Sequence, residues 1–117
     1  MKLEPIRDYL LNKKGAVEET PFGPQALVFK VMNKMFALIA WQEDPINLTL
    51  KCDPDIALSL RALYEAIRPG YYMNKKHWNT ITLDGTIPDD EIWGMIDASY
   101  GLVVKGLTKA QRKELGE

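Results

Sequence analysis

Ile46-Asn47-Leu48-Thr49-Leu50-Lys51-Cys52-Asp53-Pro54 is the stretch that sets the fold class. Ile46, Leu48, Leu50 and Cys52 alternate with Asn47, Thr49 and Lys51, the pattern of a half-buried strand whose successive side chains face opposite ways. Asp53-Pro54 then predicts a helix start. An Asp side chain accepts from the free N–H groups of the first turn, and Pro suits the first helical position. Ile56, Leu60, Leu63 and Ile67 are expected along the buried side of that helix, with Pro69-Gly70 stopping it. A strand that passes directly into a helix points to a mixed architecture.

On the N-terminal side, Leu27, Phe29 and Val31 alternate with Val28, Lys30 and Met32, followed by an apolar return strand over residues 35–41. Asn33-Lys34 is read as the turn between them and Glu43-Asp44-Pro45 as the next turn. Leu3, Ile6, Tyr9 and Leu10 predict a first helix over residues 4–14, ended by Gly15. Residues 18–24, with two prolines and a glycine, read as an irregular connection.

On the C-terminal side, strands are expected at residues 71–73 and 78–83, with a turn over residues 74–77 and a stop at Asp84-Gly85. Pro88-Asp89-Asp90-Glu91 opens a third helix whose acids suit the positive end of the dipole, and it is expected to end near Gly101. Thr108-x-x-Gln111 fits a capping box for a short last helix. The order α-β-β-β-α-β-β-α-α predicts a single α+β domain spanning residues 1–117, a small antiparallel sheet packed against helices on one face.

Composition narrows function mainly by exclusion. The 117 residues carry 15 Lys and Arg against 16 Asp and Glu, a net charge of −1, so any nucleic-acid role rests on a local patch. One cysteine rules out an internal disulfide framework and a multi-cysteine metal cluster. With no membrane-length apolar run and no signal-like start, the expected location is the cytoplasm.

The densest chemistry lies in Pro69-Gly70-Tyr71-Tyr72-Met73-Asn74-Lys75-Lys76-His77-Trp78. Cations neutralise phosphate and rings stack on bases, so this segment reads as a nucleic-acid-binding hairpin tip. Lys75 and Lys76 are assigned to phosphate, with Lys30, Lys34 and Lys51 extending the basic face. Asn74 and His77 are assigned to groove contacts, since an amide or imidazole reads base edges. The plainer reading is a solvated turn whose lysines blunt a sheet edge, with Tyr71, Tyr72 and Trp78 as packing residues.

Glu18-Glu19 and Asp89-Asp90-Glu91 offer oxygen ligands, but no partner motif accompanies them, so no metal or cofactor is expected. Cys52 falls on the apolar parity of its strand, beside Leu50 and Leu48, where a buried thiol is inert. Ser99 is expected to bond within its helix and Tyr100 to pack at the helix end. The chain reads as a non-enzyme.

Pro21-Phe22-Gly23, Val28-Phe29-Lys30-Val31, Lys34-Met35-Phe36-Ala37, Leu50-Lys51-Cys52-Asp53-Pro54, Met73-Asn74-Lys75-Lys76-His77-Trp78 and Ser99-Tyr100 occur in the order seen in the YjbR-like (MmcQ/YjbR) family. The resemblance covers residues 3 to 115. It implies a fold like that of the frataxin homologue CyaY, with two projecting hairpins likened to a double-winged DNA-binding motif. DNA is then the expected partner, and a small protein- or ligand-binding module is the alternative. The wing tips implied are Asn33-Lys34 and Asn74-Lys75-Lys76-His77. Many relatives place a small residue or glycine in the first turn, where this chain has Met32-Asn33.

Overall fold

The computed structural model describes residues 1–70 and 73–116. The elements are α1 (Leu3–Leu11), β1 (Ala16–Glu19), β2 (Leu27–Val31), β3 (Lys34–Ala40), β4 (Asn47–Lys51), α2 (Pro54–Leu63), β5 (Ile67–Pro69), β6 (Trp78–Thr82), α3 (Asp89–Lys105) and α4 (Lys109–Leu115). Six antiparallel strands form one sheet in the order β1-β2-β3-β4-β6-β5. The α+β architecture expected from the alternation in β4 and the helix start at Asp53 is the one found. Among the described residues no helix is long and apolar enough to cross a membrane.

One core lies between the sheet and the helices. Ile6 and Leu10 of α1 and Ile92, Ile96 and Val103 of α3 pack on Phe29, Val31, Ile39, Leu48, Leu50 and Ile81 of the sheet. Each fully buried Ile or Leu contributes roughly 1.5–3 kcal/mol. Asp53 caps α2 as its sequence predicts, its Oδ1 accepting from Asp55 N at 3.0 Å and Ile56 N at 3.4 Å. The Thr108–Gln111 capping box also forms, at 3.1 and 3.0 Å.

Several expectations change. Residues 18–24 are not wholly irregular: Ala16–Glu19 is a short edge strand, paired Ala16↔Val31 to Glu19↔Val28. Its pairing comes from β2, and its Val17 stays 47% exposed, so no local alternation announces it. The first turn is Met32-Asn33 rather than Asn33-Lys34; both residues have positive φ (48° and 66°) and Val31 pairs Lys34, a two-residue hairpin loop. Helix α2 ends at Leu63, six residues before Pro69. It buries Ala57, while Ile56 and Leu63 are 56% and 69% exposed, and Ile67 belongs to β5. Helix α3 continues through Gly101 to Lys105, because a single glycine costs only about 1 kcal/mol in a helix that is packed against the sheet. The strand expected at residues 71–73 falls largely outside the described residues; the observed partner of β6 is β5, Ile67–Pro69.

A bulge shapes the sheet's centre. Phe29 pairs Ala37 but Lys30 pairs Met35, which leaves Phe36 as an extra residue in β3. Phe36 turns into the core and meets Tyr100 edge-on, with ring centroids 5.3 Å apart. The ladder between β3 and β4 begins only at Ala37↔Leu50. Ser99, fully buried on α3, fills the gap: its hydroxyl accepts from Lys51 N at 2.9 Å and donates to Phe36 O at 2.6 Å. Ser99 therefore joins two strands instead of bonding within its own helix. Tyr100 packs as expected, and its hydroxyl also donates to Lys14 O at 2.5 Å.

Candidate nucleic-acid interface

The antiparallel order sends β2, β4 and β5 toward the same end of the sheet and starts β3 and β6 there. The Met32-Asn33 tip and residues 73–77 thus project from one end. The end of β4, at Lys51, lies between them. The two tips are three strand spacings apart, roughly 14 Å at ~4.8 Å each. That span is close to the ~12 Å width of the B-DNA major groove.

Lys34 opens β3 beside the first tip and is exposed. Lys51 and Lys30 share the face away from the helices. Thr49 pairs Leu38 and Leu38 pairs Val28, and each lysine lies two residues beyond a member of that row. The parity expected from sequence therefore holds. Lys30 is not a loose charge, because its Nζ lies 3.0 Å from Glu19 Oε1 on the neighbouring strand.

The second tip is built largely by backbone. Asn74 Oδ1 accepts from Lys76 N at 2.9 Å, closing a tight Asx turn that leaves Lys75 and Lys76 exposed. His77 N donates to Asn74 O at 3.1 Å, and His77 O accepts from Cys52 N at 2.7 Å. The Asn74 oxygen is thereby committed to its own turn, and His77 is half-buried. Gly70 lets the strands converge: its N–H donates to Trp78 O at 2.9 Å, and a Cβ there would meet Trp78 Cβ at 3.0 Å. The aromatic assignments at Tyr71 and Tyr72 lie outside the described residues. Trp78 is half-buried at the start of β6.

Arg61 of α2 was not singled out from the sequence, yet it anchors this tip. Its Nε donates to Asn79 Oδ1 at 2.7 Å, and its Nη2 donates to Lys75 O and, at 3.3 Å, to Trp78 O. Asn79 is only 3% exposed, so the guanidinium satisfies a buried amide while it grips the turn. Nothing local in residues 54–63 signals this partner, which lies 18 residues away.

Helix ends add further charge. Lys13 and Lys14 follow α1 at the tip end of the sheet, since Ala16 pairs Val31. Lys105 closes α3 and Lys109, Arg112 and Lys113 follow on α4. That helix folds back to the same end, Leu115 lying where a Cβ on Gly15 would touch it and Lys14 Nζ donating to Gly116 O at 3.1 Å. The opposite end holds Glu43, Asp44, Asp84 and the Asp89-Asp90-Glu91 turn. Asp53 and Asp55, at the start of α2, and Glu114 on α4 are acids on the basic side. A net charge near zero thus covers a charge-segregated molecule.

The carboxylates weighed as metal ligands are otherwise employed or dispersed. Glu18 takes a bidentate pair from Arg7 at 2.5 and 2.8 Å, and Glu19 pairs Lys30. Among the described residues no three His, Cys, Asp or Glu side chains are grouped to hold a metal.

The family model YjbR matches residues 11–102. The chain belongs to the YjbR family. It is 34% identical to protein YjbR of Escherichia coli K12 over 115 residues, 98% of each chain. Protein YbdF of Escherichia coli O157:H7 is 38% identical over 95 residues, 81% of this chain and 78% of that protein. The crystal structure of Deinococcus radiodurans protein DR2400 superposes with a TM-score of 0.92 at 43% identity, covering 98% of this chain and 88% of that one. A Pseudomonas syringae protein superposes at 0.75 with 29% identity, over 87% and 98% of the two chains. The YjbR match spans both tips, the bulge and Ser99.

Proposed function

We propose that this YjbR domain is a non-catalytic, cytoplasmic DNA-binding protein that grips the phosphate backbone through its two hairpin tips. The observation that carries the reading is the convergence of Lys34, Lys51, Lys75 and Lys76 on one end of the sheet, at groove-like spacing. Phosphate contacts position such a protein without reading sequence. Asn74 contributes through its amide N–H group, its oxygen being held in the turn. Cys52 suits no catalytic role. Burial, then the charge of Asp53, pushes its thiol above the ordinary value, and among the described residues it shares no side-chain hydrogen bond with His77. A protonated thiol is a poor nucleophile.

The test is fluorescence anisotropy of a labelled random duplex, repeated from low to physiological salt. Affinity that falls steeply with salt supports the reading, with log K falling by about 0.9 per phosphate contact for each tenfold rise in salt. Flat anisotropy at low salt overturns it. The second reading, a ligand-binding module, is favoured by an apolar cleft that Cys52 lines.

A further inference from the structure

Helices α2 and α3 do not close on each other. Between them lies a cleft of about 290 Å³, floored by Leu50, Asn79 and Ile81 and walled by Ile56, Leu60 and Met95. A second hollow of about 300 Å³ continues it past Cys52 and Ala98 toward Lys105. Pockets for small ligands begin at roughly 300 Å³, so the deeper chamber suits a short apolar body.

The wall on α3 is kept low by Gly94, Ala98 and Gly101, which share one helix face. A Cβ at Gly94 or Gly101 would meet nothing within 4 Å. Packing therefore does not require either glycine, although each costs the helix about 1 kcal/mol relative to alanine. The fold forgoes that stability and leaves the cleft wide.

Charge on the rim has one predominant sign. Asp90 and Glu91 flank the deeper chamber and make no ion pair among the described residues; Asp53 and Lys105 stand at the far end. Lys51 contributes to the wall, but strand parity carries its side chain to the other face of the sheet, with Thr49. The α3 dipole explains why acids are tolerated in that first turn. It does not explain an open apolar chamber directly beneath them.

We propose that the α2–α3 cleft binds a small organic cation with an apolar body, the body on Leu50, Ile56, Ile81 and Met95 and the ammonium against Asp90 and Glu91. The site is independent of the DNA reading, because the phosphate-facing lysines lie on the tips and the opposite sheet face.

Three six-carbon probes separate the contributions: hexylammonium, 1-hexanol and hexanoate, titrated into the full chain with methyl-detected NMR of Ile56, Ile81 and Met95. The expected result is saturable shifts at these methyls, with hexylammonium bound about fivefold more tightly than hexanol, as one exposed ion pair allows. Hexanoate should bind weakest. D90N/E91Q should bring amine and alcohol to equal affinity. A98L, at an exposed position, should fold normally by circular dichroism and lose all three. Cys52 alkylation by iodoacetamide should slow when hexylammonium is present. Shifts that never saturate, shifts spread equally to Val103 and Leu115, or an order led by hexanoate would each overturn the assignment.

Discussion

Ser99 supplies Lys51 with the hydrogen bond that its own sheet withholds. The Phe36 bulge moves the β3 carbonyl away from the Lys51 N–H, and the Ser99 hydroxyl bridges the two groups at 2.9 and 2.6 Å. One side chain thus holds α3 against the end of β4 and sets the backbone from which Lys51 projects between the tips. Replacing Ser99 by Ala strands a buried donor and a buried acceptor, each costing about 1–3 kcal/mol. S99A should lose about 2–4 kcal/mol by urea denaturation. A loss below roughly 0.5 kcal/mol, the range of ordinary surface substitutions, would show that the bridge is replaceable.

Arg61 should matter to stability and to the second tip together. R61A leaves Asn79 without its guanidinium partner and removes one donor from the Lys75 and Trp78 carbonyls, the latter still accepting from Gly70 N. Amide exchange of Lys76 and His77 should accelerate, and stability should fall by about 1–3 kcal/mol. R61K keeps the charge but cannot reproduce the forked donor geometry, so it should recover only part of the effect. Full rescue by lysine would mean that charge alone is at work.

The lysines should not be equivalent on DNA. Lys30 is held by Glu19 at 3.0 Å, so K30A should change affinity less than K51A. E19Q should strengthen binding by releasing Lys30. K75E/K76E should abolish binding without unfolding the domain. Anisotropy against salt reads all four, and equal effects of K30A and K51A would contradict the arrangement.

Acid should loosen α1 from α3. Burial raises the Asp97 carboxyl, but hydrogen bonds from Lys13 and Tyr9 and the charge of Lys13 outweigh it and hold the group below the ordinary carboxylate range. A depressed carboxylate contributes stability above its unfolded value and loses it as pH falls through the folded one. Tyr9 shifts the other way: its hydrogen bond to Asp97 is the main cause, with burial adding, so it sits above the ordinary phenol value. Its contribution is present below pH 10 and is lost as pH rises through the folded value. D97N should flatten both limbs. The pair is partly exposed, so the effect should stay near 1 kcal/mol or less and shrink with salt.

Filling the α3 glycines should stabilise the protein. G94A and G101A gain helix propensity and meet no atoms, so each should raise stability by about 0.5–1 kcal/mol in thermal or urea unfolding. A loss in either would mean that the helix face is more crowded than it stands.

Residues 46–54 made the fold class legible, because a period of two, an N-cap Asp and a helical Pro are local signals. The Thr108–Gln111 box was legible for the same reason. The tip lysines stood out as a charged run, and alternation was consistent with Lys30 and Lys51 sharing a face, which the strand register then established. What was missed has non-local causes. β1 exists because β2 offers it an edge, and Arg61 is notable only because Asn79 is buried beside it. The exposure of Ile56 and Leu63 follows from how α2 sits on β5 and β6, which no periodicity in 54–67 can reveal. Sequence by itself determined the β4 strand, the Asp53 start of α2, the Thr108–Gln111 box and the charge of the tip residues, all of which rest on neighbours in the chain. Only the tertiary structure decided that both tips leave one end of the sheet, that Ser99 mends the bulge, and that α2 and α3 stand apart. Those outcomes depend on strand order and helix packing, where the interacting residues are far apart in the chain.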